Sequence, residues 1–154
     1  MAVPKLTIEL VPQSCQFSNL RSNLKKSDWD RIRKECYKRF SCRCSVCGGK
    51  GIKHPVEAHE VWSYDEKTLT QTLVDVVALC PDCHRVKHMG FAVLKGFGEA
   101  ARKHLRKVNR WTRVEGDKYE QECFSEYKRR SLFHWRLDIS WLNSRGFSVK
   151  GNID

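Results

Sequence analysis

Apolar and polar residues alternate over Lys5-Leu-Thr-Ile-Glu-Leu-Val11, the two-residue period of a short strand. The period then changes. Trp29, Ile32, Cys36 and Phe40 recur at helical spacing. Ser27-Asp-Trp-Asp30 supplies the start of that helix, with Ser27 as cap and acidic residues in the first turn. Its other faces carry Arg31, Arg33, Lys34, Lys38 and Arg39. For any one of these a solvated helix face is the simpler reading, while their number suits a phosphate-facing surface. Val56–Val61 and Val74–Leu79 read as two strands, with polar Ser63–Thr72 as the loop between them. Pro81 suits the first turn of a short helix that Gly90 ends. Gly98–Trp111 predicts another helix, with Ala101, Leu105, Val108 and Trp111 on one side. A longer helix is expected from Asp117 to about Phe133, striped by Tyr119, Cys123 and Tyr127. Aromatic-rich Trp135–Leu142 should dock back on the body, and residues after Asn143 are expected to fray.

Composition narrows the partners. A chain of 154 residues is expected to form one domain. Within it, 1–43 hold the first strand and basic helix, 44–90 a metal-stapled core, 91–142 a helical extension and 143–154 the tail. Lys and Arg number 29 against 18 Asp and Glu, a formal charge of +11. That excess suits a polyanion: nucleic acid first, an anionic membrane surface second. No apolar run approaches a membrane-spanning length. Met1-Ala-Val-Pro-Lys5 lacks a signal-peptide pattern, so a cytoplasmic location is expected.

Cysteine spacing brings in chemistry. Cys44-Ser-Val-Cys47 and Cys80-Pro-Asp-Cys83 offer four thiolates, a set suited to tetrahedral structural zinc. Gly48 and Gly49 allow the tight turn after Cys47. Cys15, Cys36, Cys42 and Cys123 remain as free thiols, with Cys42 a rival ligand two residues from Cys44. His84 and His88 fall one helical turn apart. A zinc ion filled by four cysteines does not need them, so they imply a second metal site. Strand 56–61, with Glu57, His59 and Glu60, can add ligands from across the gap. Trp62 and Tyr64 are expected to pack on the zinc knuckle. Lone His104 and His134 read as surface or core residues rather than ligands.

The segment from Cys44 to His88 resembles an HNH nuclease of the ββα-metal class, in the variety with a zinc-bound Cys-x-x-Cys pair on each flank. Leu6-Thr-Ile-Glu-Leu-Val-Pro12, Asn19-Leu-Arg-Ser22 and Trp135-Arg-Leu-Asp-Ile-Ser-Trp-Leu142 look like small stand-alone bacterial and phage members. The resemblance implies an α+β fold: a small ββα-metal core with structural zinc, flanked by an N-terminal strand and helix and by C-terminal helices. It implies an endonuclease that hydrolyses DNA with one Mg²⁺ or Mn²⁺ ion, leaving 5′-phosphate and 3′-hydroxyl ends. RNA carries the same phosphate chemistry.

Two registers fit the first motif. In the one we favour, His59 ligates the metal and Glu60 is the general base, because Val61 then supplies the family's apolar follower. In the other, His59 is the base, Ala58 cannot ligate, and Glu57 on the same strand face replaces it. Asp75 stands where the family has Asn, as a candidate to orient an imidazole. His84 matches the third letter and His88 the additional ligand. Arg85 and Lys87 are candidate phosphate contacts. So are Arg102, Lys103, Arg106, Lys107 and Arg110, on the densest basic helix of the chain. The departures at Ala58 and Asp75 also fit a non-catalytic zinc module that binds nucleic acid, or an accessory factor.

Overall fold

The computed structural model describes residues 3–16, 20–51 and 55–147, and the backbone of 152–153. Its helices are α1 (Leu20–Asn23), α2 (Lys26–Arg39), α3 (Pro81–Lys87), α4 (Met89–Leu94), α5 (Gly98–Asn109) and α6 (Arg113–Arg130). Its strands are β1 (Glu57–Asp65), β2 (Thr70–Leu79), β3 (Arg136–Asp138) and β4 (Asn152–Ile153). The fold is mixed α+β. Among the described residues no helix is long and apolar enough to cross a membrane.

Strands β1 and β2 form an antiparallel hairpin in register from Glu57 opposite Leu79 to Asp65 opposite Thr70, with an irregularity between Val61 and Trp62. The expected loop at 63–72 is therefore mostly strand. Aromatic and threonine side chains sustain pairing through Trp62, Tyr64, Thr70 and Thr72. The connection shrinks to a tight turn, in which Asp65 Oδ1 accepts the Lys67 N–H at 2.9 Å. β3 adds parallel to β2, and β4 antiparallel to β3.

Residues 5–11 keep their alternation, with Leu6 and Ile8 buried, but form no strand. Side chains and a helix end take up their backbone instead. Asn109 Oδ1 accepts the Leu6 N–H at 3.0 Å and its Nδ2 donates to Leu6 O. The Ile8 N–H donates to Tyr119 Oη, and the Glu9 N–H to Lys87 O. The segment is an extended strap over α3, α5 and α6.

Other boundaries move for local reasons. α2 begins at Lys26, so Ser27 lies inside its first turn and is not its cap. Gly90 does not end the metal-side helix: the chain breaks at His88 (φ −100°, ψ 51°) and continues as α4. α6 starts earlier than Asp117. Thr112 Oγ1 accepts the Glu115 N–H, and Glu115 accepts the Thr112 N–H, a reciprocal capping box. Residues 143–147, expected to fray, are anchored by Phe147, 4% exposed. Asn19 and most of the remaining tail lie outside the described residues.

Two hydrophobic clusters result. One gathers Leu6, Ile8, Leu79, Val86, Met89, Leu105 and the cysteine knuckle. The other gathers Leu20, Ile32, Val56, Leu73, Val76, Leu137 and Leu142. Trp62 belongs to the second cluster, and Tyr64 meets Trp135 edge-to-face at 5.3 Å. Neither packs on the knuckle as expected, because the hairpin runs its far end away from the cysteines.

Candidate functional site

Cys44 and Cys47 come from the knuckle before β1. Cys80 is the N-cap of α3, and Cys83 lies in its first turn. The four sulfurs all lie within 4.8 Å of one another. Cys47 Sγ and Cys80 Sγ are 3.7 Å apart. That is far beyond a disulfide bond of about 2.05 Å. It matches the edge, about 3.8 Å, of a tetrahedron with zinc–sulfur distances of about 2.3 Å. The set can hold a metal such as zinc. Backbone N–H groups also reach the sulfurs: Gly49 N–H donates to Cys47 Sγ and Cys83 N–H to Cys80 Sγ, both at 3.4 Å. Gly48 takes a left-handed φ of 75°, open to glycine at little cost.

Electrostatics point the same way. A hydrogen bond from Cys83 pulls the Cys44 thiol down to about 4, while Cys83, donating that bond, is pushed far up. Burial raises Cys80 to about 11. Only a bound cation lets all four sulfurs be thiolates together. Cys42 is exposed and outside this group. His104 Nε2, on α5, lies 3.2 Å from Cys83 Sγ, an outer partner that its isolation in sequence concealed.

The second group is His59, His84 and His88, whose ligating nitrogens also lie within 4.8 Å of one another. β1 presents His59; α3 and the residue after it present the other two. Ring centroids are 5.2 Å apart for His59–His84, 5.3 Å for His59–His88 and 4.8 Å for His84–His88. His84 Nε2 and His88 Nε2 are 3.1 Å apart. Two imidazole nitrogens about 2.1 Å from one ion would be separated by about 3.0–3.4 Å. Burial lowers the His84 pKa, and burial with the neighbouring His84 takes His88 down to about 4. Neutral imidazoles are the form that ligates metal.

Two carboxylates hold this group from outside. Glu57 Oε2 is 3.2 Å from His84 Nδ1, and Glu9 Oε2 is 2.5 Å from His59 Nε2. Glu9 in turn accepts from Lys87 Nζ at 3.2 Å, and Lys87 Nζ donates to Thr7 Oγ1 at 2.7 Å. Burial works to raise the Glu9 pKa, but the hydrogen bond from His59 and the Lys87 charge outweigh it and hold it at about 2. The sequence reading missed Glu9. The alternation at 5–11 was its only trace.

Several expected residues stand elsewhere. Glu60 faces opposite to His59, as neighbours on a strand must, and caps the Leu20 N–H at 3.0 Å. Burial raises its pKa. Asp75 orients no imidazole: Arg39 grips it at 2.7 and 3.1 Å, and it accepts the Val76 N–H. Lys87 is 6% exposed and paired with Glu9, so no phosphate can reach it. Arg85 pairs with Asp82 and lies over Phe97. On α5, Glu120 takes Arg102 and Glu99 takes Arg106. Lys103, Lys107 and Arg110 stay exposed, without an ion pair among the described residues.

The three imidazoles line an open groove of about 2010 Å³. Lys26, Trp29 and Arg33 of α2 form part of its wall, with Phe91 and Leu94 of α4 and Tyr127 and Arg130 of α6. Comparison of the chain with protein-family models, with curated proteins and with solved structures finds no match.

Proposed function

We propose that the chain is a metal-dependent endonuclease of the HNH type, acting on DNA, with a structural zinc in the cysteine cluster. The observation that supports this reading is the convergence of His59, from a hairpin strand, on His84 and His88, from the helix that follows. His84 and His88 are the pair whose spacing suits ligation of one divalent ion. A divalent ion there would bind a non-bridging phosphate oxygen and offset charge developing on the leaving 3′ oxygen. Glu57 fixes the His84 ring through Nδ1. His59, whose Nε2 is engaged by Glu9, would take a proton from the attacking water through its other nitrogen. This keeps His59 as base, as in the second of the two registers above, but with Glu57 orienting His84 in place of ligating the ion; Glu60 serves α1 and not the imidazoles. Imidazole donors favour Mn²⁺, Co²⁺ or Ni²⁺ over Mg²⁺. Lys103, Lys107 and Arg110 offer cations for the DNA backbone.

The test is nicking of supercoiled plasmid by zinc-loaded protein in Mn²⁺, in Mg²⁺ or with no added divalent ion, with His84→Ala alongside. Mn²⁺-dependent nicking that falls at least about a hundredfold in the variant is the expected result. Equal nicking by both proteins would overturn the assignment. A retained gel shift with no nicking in any metal would leave a zinc-containing DNA-binding module.

A further inference from the structure

α4 is built the wrong way round for a helix that only completes a core. It buries Met89 and Ala92, three residues apart. On another face, also three residues apart, it shows Phe91 and Leu94, which are 64% and 84% exposed. Phe97 follows at 51%. Polar residues at 91 and 94 would form the same helix and leave the same core. Burying apolar side chains of this size is favourable, so the exposed pair holds binding energy unused by the fold.

The position of this ridge narrows what covers it. His88 is the N-cap of α4, and Phe91 follows one turn later. Phe91 and Leu94 edge the same groove as His59, His84 and His88. Cations border the ridge: Lys95 Nζ is 5.5 Å from the Phe91 ring centroid, and Arg85 Cζ is 4.9 Å from that of Phe97. Arg85 also reaches Asp82, but Lys95 has no ion pair among the described residues. Apolar side chains fringed by cations complement a partner with apolar faces beneath a phosphate backbone. Stacked bases have that build, and apolar wedges between base steps kink a duplex by about 20–90°.

We propose that Phe91 and Leu94 form a wedge that enters between bases beside the phosphate at the histidine cluster, bending the nucleic acid toward it. The proposal rests on the nuclease reading for its location. It adds a residue pair that senses how easily the substrate unstacks. Steps that open readily, such as pyrimidine–purine steps or mismatches, are then the favoured substrates.

The experiment uses the zinc-loaded full chain and short duplexes with 2-aminopurine at successive positions, read by fluorescence with no added divalent ion, and plasmid nicking in Mn²⁺. The variant is Phe91→Ala/Leu94→Ala, whose exposed positions leave the core untouched. The expected result is a severalfold fluorescence rise with wild type and none with the variant. Nicking by the variant falls at least tenfold, while its zinc content and Mn²⁺ affinity are unchanged. Equal fluorescence and nicking by the two proteins would overturn the wedge. So would a wild-type dimer that the variant turns into monomer on size-exclusion chromatography, which would make the ridge a self-association surface. Unstacking by wild type without nicking in any metal would sink the nuclease and keep the wedge. No binding to any duplex would sink both.

Discussion

His104 Nε2 lies 3.2 Å from Cys83 Sγ, so a helix of the C-terminal half touches the metal-side cysteines directly. An imidazole N–H on a thiolate stabilises its charge and holds α5 against α3. Outer partners of this kind typically contribute about 10–100-fold to metal affinity. His104→Phe should release zinc to a chromogenic chelator about tenfold or more faster than wild type. His104→Gln, which keeps a donor, should fall between them. Identical release from all three proteins would show that the contact bears no load.

Lys87 and Glu9 form a pair whose ammonium is almost wholly enclosed, 8% exposed against 34% for the carboxylate. Removing either partner alone leaves the other short of a charge-assisted bond. Glu9→Gln and Lys87→Met should each lower unfolding free energy by about 1–3 kcal/mol in urea melts. The double variant should lose less than the sum, with a coupling of about 0.5–3 kcal/mol. Strict additivity would mean the two residues act separately.

Asp75 and Arg39 predict a pH effect. Burial works to raise the Asp75 pKa, but the Arg39 hydrogen bond outweighs it, and the folded value sits below the ordinary 3.8. Its stabilisation is therefore full above about pH 4 and is lost as pH falls through the folded pKa. Asp75→Asn should cost about 0.5–1 kcal/mol at pH 7, the modest value of a half-exposed pair. Below about pH 4 the gap should narrow as the pH falls. A gap that persists there would assign the effect to packing.

Thr112 closes the capping box of the longest helix. Thr112→Ala should cost about 1 kcal/mol. In a chain of this size that is a fall in Tm of about 2–4 °C, readable by circular dichroism. An unchanged Tm would mean the α6 terminus frays without consequence.

What could be read from the sequence was whatever the local period carries. Cys44, Cys47, Cys80 and Cys83 announce themselves by spacing, and His84 and His88 by one helical turn. Strand alternation placed Glu57 beside His59. The same alternation argues against Glu60 joining His59, and the apolar match at Val61 was the weaker guide. Glu9 was illegible because it reaches His59 across fifty residues, from a segment whose backbone partners are side chains of α5 and α6. Lys87 looked like any helix cation until the strap carrying Glu9 closed over it. The α4 ridge was hidden too, since nothing in the spacing of Met89-Gly-Phe-Ala-Val-Leu94 tells the buried Met89 and Ala92 from the exposed Phe91 and Leu94.

The two hydrophobic clusters meet along β2, where Leu79 serves one and Ala78 the other. That strand is a party wall between two rooms. The C-terminal segment, through Leu137, Leu142 and Phe147, furnishes only the room away from Cys44, Cys80 and Cys83. Loosening it would strip cover from α2 and the far hairpin while the cysteine knuckle keeps its own walls. Opening of that segment would therefore leave the four cysteines and the three histidines together, a state a protease would detect before a thiol reagent did.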